Sequence, residues 1–509
     1  MFAQVVVLGF LPSFARLALA LTVPTAFENA AIVRQVELGG TLSSVTTTYT
    51  VRALSNNVQE YIVTLSKDEG DKTTWFTPKL AGSDADIPVV QGFDAADQVY
   101  YYKLALPTAL ARDDTAVINV ATTLSHATTP WPPTAAQTDP VRFNFEADLL
   151  IISPYETLSQ RTKIRSPTPG LGPFSDPSPP SVYVKDAQAT KSGSTITYGP
   201  FVSVPPSLSP KFREEHQRRI SVNYETSTPV PAVLSFKRTA EISHWGANLN
   251  VQDDIHLKNG GPTLKGHFSR VQHQQTTFYS QNPGPSTLWW LSIQLPPGIH
   301  SPYFYDLNGN VSTSHFRPTP SLPQTENPFL NAKVLDGLKT GSRALASKFS
   351  LLEIRPRYPV LGGWNYSFTL GWDAPLKDWA VYDRKAGKHV VAIPFLNTIK
   401  DVAVDAAECK IILPEGAIDV EVFPPFPVDS VERSTHVTYL DTVGRPAVTL
   451  RKNHVTDKHD GIVYVAYVVP SSAHLRKPVA VAVATISLFT FAFFARRIDP
   501  RINTAPPAK

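Results

Sequence analysis

The sequence predicts a mainly β protein, with two related antiparallel β-sandwich-like domains followed by a single C-terminal transmembrane helix. Three observations carry that expectation. Short β-branched and aromatic runs separated by Pro, Gly, Asn and Asp fill most of the chain. Proline supplies 46 of the 509 residues, nearly twice the usual share of about 5%, and it is kept out of helix interiors and central strands. An uncharged apolar run near the C-terminus is long enough to cross a bilayer.

Taken in order, residues 1–20 (MFAQVVVLGFLPSFARLALA) are apolar apart from Arg16 and close on Ala18-Leu19-Ala20, a small-x-small pattern. We read them as a secretory signal cleaved after Ala20. Residues 21–234 form the expected first β domain and 235–477 the second. Strand runs are read at 44–51, 61–65, 99–106, 117–122, 288–295, 365–370 and 461–469. One short helix is expected at 210–219, with Ser209 as N-cap and Pro210 in its first position. Residues 166–210 hold ten prolines but include the strand-like TITY at 195–198. They are read as an excursion of the first domain that returns to its sheet rather than as a linker.

A weak repeat is visible. Arg34 to Leu38 (RQVEL) and Arg238 to Ile242 (RTAEI) stand 204 residues apart. Aromatic-rich strands ending in Leu-Pro follow at 100–107 and 288–296, and aromatic-proline corners at 153–155 and 355–359.

Residues 478–495 (PVAVAVATISLFTFAFFA) carry no charge and as a helix would span about 27 Å. With the signal they predict a single-pass type I chain, its bulk in the lumen of the secretory pathway and residues 496–509 in the cytosol. The formal charge of +4 then dissolves: the tail carries a net +3 and the signal +1, leaving a neutral body. No nucleic-acid surface is expected.

The composition also limits the chemistry. A lone Cys409 excludes an intrachain disulfide and thiolate zinc clusters. Zinc-peptidase, nucleophile-elbow and phosphate-loop motifs are absent from the sequence. The thirteen His are scattered, and the pairs His267/His273 and His454/His459 are read as satisfied or exposed structural residues. The carboxylate pairs Asp253-Asp254 and Glu214-Glu215 are read as solvated. No catalytic residue, cofactor or metal is expected. Asn310-Val-Ser312 and Asn365-Tyr-Ser367 are N-x-[ST] acceptors; Asn310, in a turn-rich string, is expected to be the more accessible. Trp245, Trp289-Trp290, Trp364, Trp372 and Trp379 are read as core and interface fillers rather than a sugar-stacking surface.

Six strings go beyond generic β signals: RTAEISHWG (238–246), LKG with FSR (264–270), DLNGNVSTSH (306–315), EIRPRYPVLGGW (353–364), LPEGA (413–417) and TYLDTVGRP (438–446). With FENAAIVRQVEL (27–38) ahead of them, this ordered set resembles the ribophorin I family, subunit 1 of the endoplasmic-reticulum oligosaccharyltransferase complex. The resemblance implies a non-catalytic accessory subunit of the machine that transfers a preassembled lipid-linked oligosaccharide to Asn of nascent chains. It implies partners in that complex: a multi-pass catalytic subunit, whose WWDYG string is absent here, and small single-span subunits. It also supports modification of Asn310, whose sequon the family carries. Animal members continue into a cytosolic domain associated with ribosome contact, whereas 14 residues follow Ala495 here, as in fungal members, so direct ribosome docking is disfavoured. Small residues Ala480, Ala484 and Ser487 mark the expected helix-packing face, and the luminal body is expected to help hold acceptor polypeptide. A stand-alone membrane-anchored receptor or adhesion protein and a membrane-anchored hydrolase are the readings from other classes.

Overall fold

The computed structural model describes residues 25–176, 183, 189–280, 284–321, 327, 330, 349–397, 399–439 and 441–497. The expected signal with Ala20, and the tail beyond 497, lie outside the described residues. The expected strands form, except that the run read at 288–295 breaks at Trp289-Trp290 into Thr287–Leu288 and Leu291–Leu295, which pair in different sheets. Alternation of inward apolar and outward polar residues drives β1 (Phe27–Glu37) and β2 (Leu42–Ala53), where Ile32, Val36, Val45, Tyr49 and Val51 are buried. Antiparallel β3 (Thr115–Ser125) adds to β2, and β4 (Thr157–Arg165) runs parallel to β1. The TITY string lies in β5 (Thr195–Val204), which pairs with β4, so the proline-rich excursion returns to the sheet.

The second half repeats this plan. β6 (Pro231–Ser243) pairs antiparallel with β7 (Asn248–Asn259) and parallel with β9 (Ala403–Ile412), while β8 (Asn365–Pro375) extends β7 and β10 (Arg445–Val455) extends β9. The sheet order β5-β4-β1-β2-β3 therefore recurs as β10-β9-β6-β7-β8. The correspondence reaches single residues. The register of β1 on β2 shifts between Asn29 and Ala31, and that of β6 on β7 between Val233 and Ser235, the same place 204 residues on. Leu234, where a domain boundary was expected, lies within this bulge, and β6 starts at Pro231, the counterpart of Phe27.

The smaller sheets repeat as well. Strands Leu171–Phe174, Arg219–Thr226, Val141–Asp148 and Thr128–Pro130 match Ile418–Phe423, Ile462–Val468, Lys388–Pro394 and Ala380–Asp383 in order. Val58–Ser66, Val99–Leu110 and Val89–Asp94 match Leu291–Leu295, Ser350–Ile354 and Ser314–Arg317. This corrects one reading of the repeat: the aromatic strand at 100–107 is the central strand of its sheet and corresponds to Ser350–Ile354, not to the Leu-Pro strand at 288–296. The corners at 153–155 and 355–359 also stand in different places, one before β4 and the other before β8.

Each main sheet buries apolar side chains against its smaller sheets, and Trp372 and Trp379 fill the core of the second half. The halves meet end to end. The Thr41 hydroxyl, at the end of the β1–β2 connection, donates to the Pro231 carbonyl (3.0 Å) and accepts from the Ala403 amide (3.1 Å), at the starts of β6 and β9. Strand Thr263–Leu264 pairs with Thr134–Ala135 across the same junction. Of the helices, α1 (Lys67–Lys72) was not foreseen. α2 (Pro210–His216) is capped as expected, the Ser209 hydroxyl accepting from the Phe212 amide, but it ends sooner because the next strand begins at Arg219. α3 (Arg270–Ser280) precedes the C-terminal α4 (Ser471–Ala495).

Candidate functional site

Because β6 and β9 run parallel away from the first half, their far ends share one edge of the body. Three connections gather there: the turn 244–247, the segment 413–417 and the hairpin-tip residues 437–439 and 441–444 between Ser430–His436 and β10. They belong to three of the six distinctive strings, and α4 starts against them. Glu415 accepts from the amides of Thr442 (2.8 Å) and Val443 (2.9 Å), and Asp441 accepts from the Thr438 amide (2.9 Å) and hydroxyl (2.7 Å). Lys477 of α4 then bridges both carboxylates, at 3.1 Å to Glu415 and 3.3 Å to Asp441. Arg445 adds contacts to Asp441 (3.0 Å) and to Glu241 at the end of β6. Burial alone would raise the two carboxyls, but this set of donors outweighs it and holds Glu415 and Asp441 each at about 2.

A second group of side chains seats the helix. His244 stacks on His474 of α4 (centroids 5.6 Å, planes 18° apart), lies 4.7 Å from His389, and its Nε2 is 2.9 Å from the Tyr467 hydroxyl. Burial, with His389 and His474 alongside, pushes the His244 imidazole down to about 4. Burial likewise lowers His389.

α4 begins at Ser471, seven residues before the expected start, because its first two turns are amphipathic contacts to the body rather than membrane core. Pro478 lies within it. The 25-residue helix has a mean hydropathy of 2.1 over its most apolar stretch, and its apolar side chains from Val479 to Phe494 are exposed. Ala480, Ala484 and Ser487 follow an i, i+4, i+7 spacing and so share one face. Thr485 and Thr490 return their hydroxyls to the carbonyls of Val481 and Ile486, which satisfies those two donors in an apolar setting.

Two further strings meet around the sequons. Arg357 grips Asp306 through two bonds (2.7 and 3.0 Å) and also donates to the carbonyls of Gly309 and Asn310. This guanidinium holds the Asp306 carboxyl below its usual range. Tyr366 reaches Asp306 (3.3 Å) and Tyr358 donates to the Asn365 carbonyl (3.1 Å), so Asn310 and Asn365 flank one cluster. Both asparagines are exposed, although the expectation favoured Asn310.

Among the described residues no group of three or more His, Cys, Asp or Glu is placed to hold a metal ion. His459 accepts from the Thr456 amide and closes a capping box, a structural role. Cys409 is buried and its thiol is pushed up to about 12 by that burial. Asp253, read as solvated, is instead fully buried against Arg238; Glu214 and Glu215 are exposed as read. Trp372 and Trp379 are core residues, while Trp245 and Trp290 are exposed. Lys477, Glu415 and Asp441 were not singled out as site residues. Their signal was the LPEGA and TYLDTVGRP strings, but the ties between them run across the tertiary fold.

Residues 27–496 match the profile of the family described as Ribophorin I. The chain is 30% identical to rice (Oryza sativa subsp. japonica) dolichyl-diphosphooligosaccharide–protein glycosyltransferase subunit 1B, over 78% of this chain and 73% of that one. It is 28% identical to Arabidopsis thaliana subunit 1A, over 97% and 74%, and 26% identical to Caenorhabditis elegans subunit 1, over 94% and 74%. Among solved structures, native leukotriene A4 hydrolase from Saccharomyces cerevisiae aligns over 42% of this chain and 31% of its own with a TM-score of 0.26 at 12% identity, a likeness too slight to inform fold or function.

Proposed function

The chain belongs to the ribophorin I family, and from that premise we infer its work: it is an accessory subunit of the oligosaccharyltransferase complex of protein N-glycosylation. One observation carries this reading. The family match runs unbroken through both halves and the apolar helix, so it covers the whole described architecture rather than one shared module. The endoplasmic reticulum is the corresponding compartment, and α4 is the corresponding anchor.

We propose that the subunit is non-catalytic. In support, Arg238 and Asp253, both buried, pair with one another, and the perturbed carboxylates at the foot of α4 hold a hairpin and a lysine. We further propose a type I arrangement, with residues 1–20 removed after Ala20, two related domains in the lumen and the segment after α4 in the cytosol. The Ala480, Ala484 and Ser487 face would pack on a small single-span subunit or on the multi-pass catalytic subunit. The body would stand beside the catalytic face, help hold acceptor polypeptide, and carry sugar at Asn310 and Asn365. The receptor and hydrolase readings are not favoured, since the family match leaves neither a motif of its own.

The test is purification of the tagged full chain in mild detergent, followed by an assay of oligosaccharide transfer from a lipid-linked donor to an acceptor peptide. Transfer activity should accompany the chain purified from its own cells and be absent when the chain is expressed by itself. A lone, inactive polypeptide in the first preparation would defeat the subunit assignment. Activity in the second would defeat the non-catalytic role.

A further inference from the structure

The end of the body that meets α4 carries apolar side chains that nothing among the described residues covers. Tyr439 is 96% exposed, Val437 68% and Val443 59%, all on the hairpin tip, and Trp245 on the neighbouring turn is 69% exposed. Free loops bearing such residues would tend to collapse onto the protein, but this tip is braced outward. Asp441 holds Thr438 and Glu415 holds Thr442 and Val443 from behind, and the left-handed Gly444 (φ +83°) closes the hairpin.

The same two carboxylates bind Lys477, and Lys477 immediately precedes the uncharged run that starts at Pro478. At about 1.5 Å per residue along a helix, the Lys477 contacts fix the tip within roughly one turn of the hydrocarbon boundary. Tyr and Trp are the residues enriched at that depth, with an apolar ring and a polar edge, and Lys and Arg accompany them. The occupant of the patch is thus set by continuity with the surface that α4 enters.

We propose that Val437, Tyr439 and Val443 of the hairpin tip and the Trp245 turn form a membrane foot that enters the lipid headgroup layer beside α4. Two attachments, one spanning and one interfacial, then fix the tilt of the body on the membrane as well as its distance. A single helix whose junction could swivel would fix neither.

The test uses the full chain in phosphatidylcholine nanodiscs, with an environment-sensitive fluorophore on Tyr439→Cys or, separately, Val437→Cys. Cys409, buried and with a raised pKa, leaves the introduced thiol as the one that labels. Leu488→Cys within α4 marks lipid, and Leu307→Cys, 92% exposed at the opposite end of the same sheet, marks water. The Tyr439 and Val437 probes should be blue-shifted, lose emission to a nitroxide-bearing lipid and resist aqueous iodide, consistent with entry of about 5–10 Å. If they behave like the Leu307 probe while Leu488 reports lipid, the foot is wrong and a protein partner is the better occupant. If Leu488 also reports water, the anchor itself is wrong and the foot falls with it.

Discussion

Arg238 and Asp253 face each other across β6 and β7 as a bidentate pair, 2.7 and 2.8 Å, with both side chains wholly shielded from solvent. The remaining guanidinium edge donates to the Pro394 carbonyl at 2.7 Å, and Asn397 donates to Asp253 as well. Arg34 holds the same station in β1, also buried, but finds its acid in Glu69 of α1 at 3.1 Å. The two halves thus keep the arginine and changed its partner.

Such a pair is worth more intact than broken. Asp253→Ala leaves a buried guanidinium uncompensated and should cost about 3–5 kcal/mol, whereas Arg238→Met combined with Asp253→Leu should recover much of that loss. Denaturant unfolding of the purified variants measures both. Equal losses in the single and double variants would show that the pair does more than satisfy itself.

Stability should also fall on mild acidification, and His244 gives the sign. Its folded-state value is near 4 against an ordinary 6.5, so between those values the unfolded chain binds a proton that the folded one refuses. The His244 contribution to stability is therefore full above about 6.5 and is lost as pH falls toward 4, with His389 acting in the same direction. His244→Phe should flatten the change in melting temperature across that window. Glu415 and Asp441, near 2, lose their contribution only below the ordinary carboxylate range, so they do not mask it.

Local signals were readable in this sequence wherever local physics decides the outcome. Strands with period-two alternation, the Ser209 cap and the apolar helix all formed, and the Arg34/Arg238 offset of 204 located a repeat now matched sheet by sheet. The strand at 288–296 was matched to the wrong partner because aromatic composition fixes burial, not position in a sheet. The helix was placed at 478 because the uncharged run begins there, and charge marks the membrane core rather than the helix end. The true start at Ser471 depends on Lys477 finding Glu415 and Asp441, a contact made by the fold. Asp253 looked solvated for the same reason, since its arginine lies 15 residues away in sequence.

The membrane helix offers a direct test of assembly. Ala480, Ala484 and Ser487 are small enough for a neighbouring helix to approach its backbone. Leucine at Ala480 and Ala484 together should reduce recovery of partner subunits, while leucine at Val481 and Val483, already large and exposed, should not. Quantitative mass spectrometry of the tagged chain reads both, and equal recovery would remove this face from the interface.

Asn310 and Asn365 should each carry one glycan. Asn310→Gln and Asn365→Gln should each remove one glycosidase-sensitive mobility shift, and the double variant both. Little stability should be lost at Asn310, since Arg357 contacts its carbonyl rather than its side chain. The bond between His256 Nδ1 and the Ser367 hydroxyl (2.7 Å) forms only once β7 and β8 pair, so it should not prevent modification of the unfolded chain.

The last prediction concerns Gly362, in the string EIRPRYPVLGGW. A Cβ there would lie 2.0 Å from the Pro262 carbonyl oxygen, and that atom is backbone, so no side-chain rotation relieves the clash. The segment it presses on is fixed from both sides. Gly260 donates to the Val230 carbonyl at 2.7 Å, Thr263 donates to the Pro133 carbonyl at 2.9 Å, and Gly363 donates to the Asn259 carbonyl at 2.8 Å. Gly362→Ala must therefore displace the strand that joins the two halves. A loss of at least about 1–3 kcal/mol is expected, read as a lower melting temperature together with faster proteolysis near the junction at 227–231. If melting falls without added cleavage there, the strain is absorbed within the second half and the junction is less rigid than these contacts imply.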